Sequence, residues 1–159
     1  MTAKSRIRSP TCTRCGSCCA THPCALAPDD LEKIAAFLGT SCTDVFRRYL
    51  VLDYTLASGR KLHYLCPARV GDKPGRIVDW DWAFTRSPCT FLHGNSCAIE
   101  PVKPRGGKLF FCHLATNTGR NRVIFGKRNA ARAWRRNSVL EQLLALAMTQ
   151  ASNTHDLST

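Results

Sequence analysis

Two helices are predicted from the spacing of apolar residues and from the residues that flank them. Between residues 31 and 38 the apolar positions recur at i, i+3, i+4 and i+7, which places them on one face of a helix. Pro28 suits the first turn of this helix and Gly39 suits its end. Ser41 and Asp44 have the spacing of a capping box, which predicts a second, shorter helix that ends near residue 50.

A β-hairpin is predicted next, because β-branched and aromatic residues are frequent over residues 51–57 and 61–65. Ser58-Gly59 between these segments suits a two-residue turn. Residues 76–82 and 108–114 are predicted as short strands, and residues 100–108 as a loop. The longest predicted helix covers about residues 129–150, and its second half is apolar enough to dock on a core.

These elements predict an α+β fold: a small, irregular, metal-nucleated domain with short helices, a β-hairpin and a long C-terminal helix. A chain of 159 residues suits one domain with a modest core. We expect this domain to span residues 12–150, with a basic lead-in over 1–11 and a frayed tail over 151–159. The sequence has no apolar run of about 20 residues and no secretory signal, so we expect a cytoplasmic protein without a membrane segment.

Cysteine is the residue type that points to chemistry, since the chain contains 10 of them. Four follow the pattern C-x2-C-x2-C-C within eight residues, and Gly16 supplies the backbone freedom that such a tight loop needs. In a reducing compartment, C-x-x-C pairs favour metal binding over structural disulfides. The four cysteines of this pattern are Cys12, Cys15, Cys18 and Cys19.

Other cysteines lie beside turns or at predicted strand ends, where a thiolate can be presented to a metal. These candidate ligands are Cys66, Cys89, Cys97 and Cys112, with Cys24 and His113 as less favoured ones. Two centres of four sulfurs are possible: Cys12, Cys15, Cys18 and Cys66 in one, and Cys19, Cys89, Cys97 and Cys112 in the other. Cys24 could replace Cys66 in this partition. Cys42, in the second predicted helix, is expected to be a small buried apolar residue.

The metal is predicted from the type of ligand and its spacing. Tetrahedral sulfur ligation suits both Zn²⁺ and iron–sulfur clusters. Structural zinc commonly uses two C-x2-C pairs, and the second pair is missing here. The spacing therefore favours an iron–sulfur cluster such as [4Fe–4S], with Zn²⁺ as the alternative.

The sequence resembles the CxxCxxCC cysteine-cluster family, described as zinc- or iron-chelating proteins, over about residues 12–114. The resemblance rests on the first four cysteines, on Pro28-Asp29-Asp30-Leu31, on Cys89-Thr90-Phe91-Leu92, on Cys97-Ala98-Ile99 and on Cys112. It implies a bound metal centre. A longer relative, the flagellin lysine methylase, implies that such a domain can take part in methyl transfer from S-adenosylmethionine. Lys103-Pro104 departs from the usual Arg-Pro-x-x-Cys ending, since Cys112 comes late.

The function predicted from the sequence is that of an intracellular metal-binding protein with a redox or metalloenzyme-accessory role. No catalytic residue is assigned, and whether the protein is an enzyme stays open. One alternative is a cluster-dependent enzyme that resembles a protein methyltransferase.

Basic charge indicates a partner, because the formal net charge is +12 and residues 120–136 contain no acid. Cations near the start of a helix oppose its dipole, so we do not expect this stretch to serve helix stability. A protein partner is favoured for the stretch. Nucleic acid is the less favoured partner, in which case the chain would be a zinc-stapled nucleic-acid-binding module.

Overall fold

The computed structural model describes Gly16 and residues 19–20, 23–78, 87–109 and 117–155. For residues 109, 117–125 and 152–155 it describes the backbone alone. In chain order the elements are helices α1 (Pro28–Leu38) and α2 (Cys42–Tyr49), strands β1 (Leu50–Ala57), β2 (Arg60–Pro67), β3 (Leu92–His93) and β4 (Ser96–Cys97), a 3-10 turn (Glu100–Val102), and helices α3 (Arg105–Leu109), α4 (Asn117–Trp134) and α5 (Ser138–His155). The predicted α+β class is confirmed.

Helices α1 and α2 begin and end at the residues that the sequence indicates. Gly39 ends α1 in the left-handed conformation, with φ 64°, which glycine adopts without steric cost. The Ser41 hydroxyl oxygen accepts a 3.1 Å hydrogen bond from the Asp44 backbone N–H and so caps α2. Both helices are therefore specified largely by local interactions.

Strands β1 and β2 form an antiparallel hairpin whose register runs from Leu50 opposite Pro67 to Ala57 opposite Arg60. The predicted turn is confirmed: Ser58 and Gly59 both have positive φ, 49° and 73°. Positive φ at both central residues is the turn geometry that matches the twist of paired strands. Of the predicted strand at 76–82, only an isolated parallel bridge between Ile77 and Leu52 is found, and residues 79–82 lie outside the described ranges.

The prediction of one C-terminal helix from about residue 129 to 150 is wrong in its bounds, because two helices occupy this region. Arg136 separates them with φ 61°, a backbone conformation that cannot continue a helix. The side chain of Asn137 then accepts hydrogen bonds from the backbone N–H groups of Val139 and Leu140, at 3.0 and 3.3 Å. Asn137 thus caps the start of α5.

The predicted loop over residues 100–108 also differs, since it holds the 3-10 turn and α3. Because Lys108 and Leu109 belong to α3, the predicted strand at 108–114 does not begin there. Residues 110–114 lie outside the described ranges.

The hydrophobic core lies between α1, α2, α4, α5 and the end of the β1–β2 hairpin that is away from its turn. Helix α4 packs against both strands of this hairpin and against α1. The largest fully buried side chains include Trp134, Tyr64, Phe46, Leu26, Leu31 and Ile34. None of the helices in the described part of the chain is long and apolar enough to cross a membrane.

Candidate metal centre

Five of the predicted metal-ligand cysteines lie within the described residues. Cys19, Cys24, Cys89 and Cys97 are half-buried, and Cys66 is fully buried. The predictions for Cys12, Cys15, Cys18, Cys112 and His113 fall outside the described residues. Cys42 begins α2 and is only partly buried, at the edge of the core.

Cys89 and Cys97 are held by the small β3–β4 hairpin. Cys97 lies opposite Leu92 in this hairpin, and the backbone N–H of Leu92 donates a 2.9 Å hydrogen bond to the Cys89 carbonyl. Cys89 also forms an isolated antiparallel bridge with Arg69, just after β2. Hydrogen bonds between backbone groups therefore fix both cysteines close to the residues that follow β2.

Two described residues of the N-terminal cysteine pattern, Gly16 and Cys19, contact the segment that carries Cys89 and Cys97. The backbone N–H of Cys89 donates a 2.9 Å hydrogen bond to the carbonyl of Cys19. Gly16 has φ 75°, and a Cβ at this position would lie 3.1 Å from the side-chain oxygen of Asn95. The glycine therefore allows both the turn of the loop and its close approach to the residues between β3 and β4.

Cys24 comes from a separate segment, and its thiol interacts electrostatically with those of Cys89 and Cys97. The pKa of the Cys24 thiol is raised to about 12. Burial is the main cause, and the nearby Cys89, Asp30 and Cys97 add to it. Burial likewise raises the pKa of Cys89 to about 11. Such thiols stay protonated in a metal-free protein, and a bound cation reverses this preference because it stabilises thiolates.

Helix α3 covers Cys24 with two glycines. A Cβ at Gly107 would lie 3.2 Å from the Cys24 sulfur, and a Cβ at Gly106 would lie 3.2 Å from the Ala25 carbonyl oxygen. The buried side chain of Asp30 joins the two segments, since it accepts hydrogen bonds from the Ala27 and Arg105 backbone N–H groups, at 2.9 and 3.3 Å.

Sequence reasoning missed this role of Gly106-Gly107, which it interpreted as a plain loop. A glycine pair followed by Lys108 is a weak signal, because the sequence does not indicate which residue approaches it. The close approach appears only when α3 and the Cys24 segment are both in place.

Cys66 has different surroundings from the other cysteines. It lies in β2 inside the core, with its sulfur 4.0 Å from the Val51 carbonyl oxygen. Burial raises its pKa well above the ordinary value and the Asp53 carboxylate adds to this, while Lys127 opposes it. A thiol packed in this way also serves the core, and the assignment of Cys66 to a metal stays a prediction.

The donors in the described residues fit zinc or iron chemically but make only part of a site. Thiolates are soft ligands that suit zinc and iron–sulfur clusters. Within the described ranges, no group of three or more His, Cys, Asp or Glu side chains is arranged to hold a metal ion. Cys24, Cys89 and Cys97 therefore do not form a three-ligand site by themselves, and a four-sulfur site would need ligands from the residues outside those ranges.

The described charged side chains of the basic stretch are one buried lysine and four exposed arginines. Lys127 is buried, with its Nζ 4.0 Å from an oxygen of Asp53, so it does not belong to a surface patch. The expectation that these cations oppose a helix dipole is wrong for the end of the stretch, because Arg132 lies in the last turn of α4, where a cation is favourable. The exposed residues, which we call the arginine face, are Arg128, Arg132, Arg135 and Arg136.

Together, the small α+β fold and the gathered thiols define a cysteine-cluster domain. A sequence model of the CxxCxxCC family, described as "putative zinc- or iron-chelating domain", matches residues 11–124, and the chain belongs to this family. No curated protein and no solved structure matches the chain. The predicted resemblance to the flagellin lysine methylase is therefore not shown by these comparisons.

Proposed function

We propose that the protein binds an iron–sulfur cluster and acts in electron transfer or as an accessory to a metalloenzyme. The family is one of zinc- or iron-chelating domains, which supports a bound metal. The observation that carries the proposal is the electrostatic proximity of Cys24 to Cys89 and Cys97, from two separate segments of the chain. A fold that brings half-buried thiols together without a disulfide prepares a site for a cation.

The proposed ligands are thiolates from segments that are well separated along the chain. Within the described residues the candidates are Cys19, Cys24, Cys89 and Cys97, of which no three are arranged to hold one ion, so the N-terminal loop and Cys112 would complete the site. An iron–sulfur cluster bound there would accept and release single electrons. The local backbone N–H groups and nearby charges would set its potential. Cys66 remains a candidate ligand from the sequence prediction.

Iron–sulfur is favoured over zinc by the way in which the hairpin carries its sulfurs. A structural zinc site commonly takes two cysteines from one C-x2-C turn. Cys89 precedes the β3–β4 hairpin and Cys97 ends it, so the whole hairpin lies between them. Ligands spread over separate segments suit a cluster held by a loop and by remote cysteines.

The proposal is tested by purifying the protein without oxygen and measuring iron, zinc and acid-labile sulfide per chain. We expect iron and sulfide in similar amounts and a visible absorption band that is lost on oxidation. Stoichiometric zinc without iron would overturn the iron–sulfur assignment and keep the chelating function. Neither metal in stoichiometric amount would overturn both.

We further propose that the arginine face binds an acidic protein partner. Arg128, Arg132 and Arg135 follow one another at i, i+4 and i+7, so they project from the same side of α4 and its end. Within the described part of the chain, none of the ion pairs involves these arginines. Trp134 is buried, so this aromatic residue cannot stack on a base, which favours carboxylates over single-stranded nucleic acid.

Binding to a polyglutamate peptide and to a DNA duplex separates the two classes of partner. We expect salt-sensitive binding of the peptide that is lost in the double variant Arg128→Glu, Arg132→Glu. Arg60→Glu changes an exposed charge at the start of β2 and serves as the control. Preference for the duplex would instead support the nucleic-acid alternative.

The methyltransferase-like alternative has no support from the family match or from the described residues. Binding of S-adenosylmethionine to the metal-loaded protein would be needed to revive it.

A further inference from the structure

Arg136 has a backbone conformation that its residue type does not favour. In the described part of the chain it is one of two non-glycine residues with positive φ, at 61°, and the other is Ser58 in the β1–β2 turn, at 49°. A Cβ makes this left-handed region costly, and after a helix it is usually occupied by glycine or asparagine. The turn after α4 therefore requires a conformation that glycine would adopt more easily than arginine.

The turn that carries Arg136 is fixed by hydrogen bonds on both sides. The backbone N–H groups of Arg135 and Asn137 donate to the carbonyls of Arg132 and Trp134, at 3.2 and 3.0 Å. The Asn137 side chain caps α5, and the Trp134 side chain is buried in the core. The backbone at Arg136 is therefore held in place, while its side chain is exposed to solvent.

The stability of the described fold does not account for an arginine at this position. Within the described residues, none of the ion pairs involves Arg136. The negative end of the α4 dipole favours a cation here, but the positive end of the α5 dipole disfavours it, because α5 begins only two residues later. The side chain is exposed and is not part of the hydrophobic core.

A residue held in an unfavourable backbone conformation, with no evident benefit to the fold, points to a binding role. Arg136 follows Arg135 directly, and Arg132 lies in the last turn of α4, so three exposed arginines meet at the end of this helix. The positive φ takes the chain out of the helical spacing that the rest of the arginine face follows. A guanidinium group is a planar fork that can donate two parallel hydrogen bonds to one carboxylate.

We propose that Arg136 is the anchoring residue of the arginine face, and that its guanidinium binds a carboxylate of the acidic protein partner through two parallel hydrogen bonds. The left-handed backbone conformation then serves to direct this side chain, at a cost in the stability of the free protein. This inference rests on the proposed function of the arginine face, and it adds which residue gives the recognition its geometry.

The test compares four variants of the full chain in peptide affinity and in melting temperature. Binding of a polyglutamate peptide is measured by fluorescence anisotropy at one fixed salt concentration, and thermal unfolding is followed by circular dichroism. Arg136→Gly removes the guanidinium and the backbone strain, and Arg136→Lys removes the planar fork but keeps the charge. Ser58→Gly is the control for relief of positive φ, and Arg60→Gln is the control for loss of an exposed positive charge.

We expect Arg136→Gly to weaken peptide binding roughly 5- to 10-fold and to raise the melting temperature by roughly 2–4 °C. Ser58→Gly should raise the melting temperature in the same way and keep the affinity of the wild type. Arg60→Gln should change the affinity by less than about 2-fold. Arg136→Lys should bind the peptide roughly 3-fold more weakly than the wild type, because an ammonium group cannot form the paired hydrogen bonds.

Wild-type affinity in Arg136→Gly, together with loss of binding in the Arg128→Glu, Arg132→Glu variant, would overturn the inference and keep the arginine face as a binding surface. Wild-type affinity in Arg136→Lys would also overturn it, because positive charge alone would then suffice. A lower melting temperature of Arg136→Gly would show that the arginine serves the fold, and the inference would be wrong. A wild-type protein that does not bind the peptide would overturn the proposed function of the arginine face, and the inference with it.

Discussion

The indole Nε1 of Trp134 donates a 2.7 Å hydrogen bond to the backbone carbonyl of Leu26, in the interior of the protein. Leu26 follows Cys24 by two residues, and its own N–H donates to the carbonyl of Leu65 at 2.8 Å. The segment that carries Cys24 is therefore held between the end of α4 and strand β2. A residue near the C-terminus thus helps to position a candidate ligand near the N-terminus.

Replacing Trp134 with Phe should destabilise the protein by about 1–3 kcal/mol, because the buried Leu26 carbonyl loses its donor. The free energy of unfolding from urea titrations measures this loss. Thr149→Ala is the control: its hydroxyl bonds the Ala145 carbonyl on the exposed side of α5, so we expect a change of no more than about 0.5 kcal/mol. Equal stability of Trp134→Phe and the wild type would contradict the structural role of this bond.

Alanine at two helical glycines should have different effects: weaker metal binding at Gly107 and higher stability at Gly126. A Cβ at Gly107 would lie 3.2 Å from the Cys24 sulfur, so Gly107→Ala should displace this ligand and weaken metal binding. Gly126 lies in α4, and an added Cβ would meet no atom within 4 Å apart from its chain neighbours and the backbone of its own helix, so Gly126→Ala should stabilise the protein by about 0.5–1 kcal/mol. Metal titration and thermal unfolding of both variants check this. A Gly107→Ala protein that binds metal as the wild type does would contradict the proposed proximity to the centre.

The metal-free protein should lose stability in alkaline solution. The native pKa values of Cys24 and Cys89, about 12 and about 11, exceed the ordinary value of 9.0. Their contribution is therefore fully present below pH 9 and declines as the pH rises toward the native pKa values, because the unfolded state releases these protons first. Urea unfolding at pH 7 and pH 10 measures the decline.

Two comparisons isolate this effect from the titration of other groups. Cys24→Ala should reduce the difference between the two pH values. Bound metal should also reduce it, because the ligands are then thiolates at neutral pH. A metal-free stability that is the same at pH 7 and pH 10 would show that these thiols do not differ from those of the unfolded chain.

Asp53 should be the most sensitive member of the buried polar cluster beside Cys66. Its carboxylate accepts a 2.7 Å hydrogen bond from the Tyr64 hydroxyl and lies 4.0 Å from Nζ of Lys127. Asp53→Ala removes a carboxylate partner from a buried cation and should cost about 3–5 kcal/mol of unfolding free energy. Lys127→Met should cost less, because the Tyr64 hydroxyl and the Tyr54 N–H still satisfy Asp53. Unfolding of the two variants in urea tests the order, and the reverse order would contradict it.

The helices α1 and α2 and the β1–β2 turn could be predicted because short-range interactions decide them. Gly39, the Ser41 cap and Ser58-Gly59 act on neighbouring backbone groups. The break at Arg136 could not be predicted in this way, because arginine is an ordinary helix residue and nothing in its type requires positive φ. Its positive φ lets the chain turn between α4 and α5, both of which contribute buried residues to the core.

The sequence by itself determined the α+β class, the bounds of the first helices and the hairpin turn, and membership in a zinc- or iron-chelating family. These properties depend on residue types at short spacings. Only the tertiary structure decided that Cys24 approaches Cys89 and Cys97, that Gly107 and Lys103 lie beside it, and that Lys127 is buried. Such contacts join segments that are distant along the chain, and the packing of the whole core selects them.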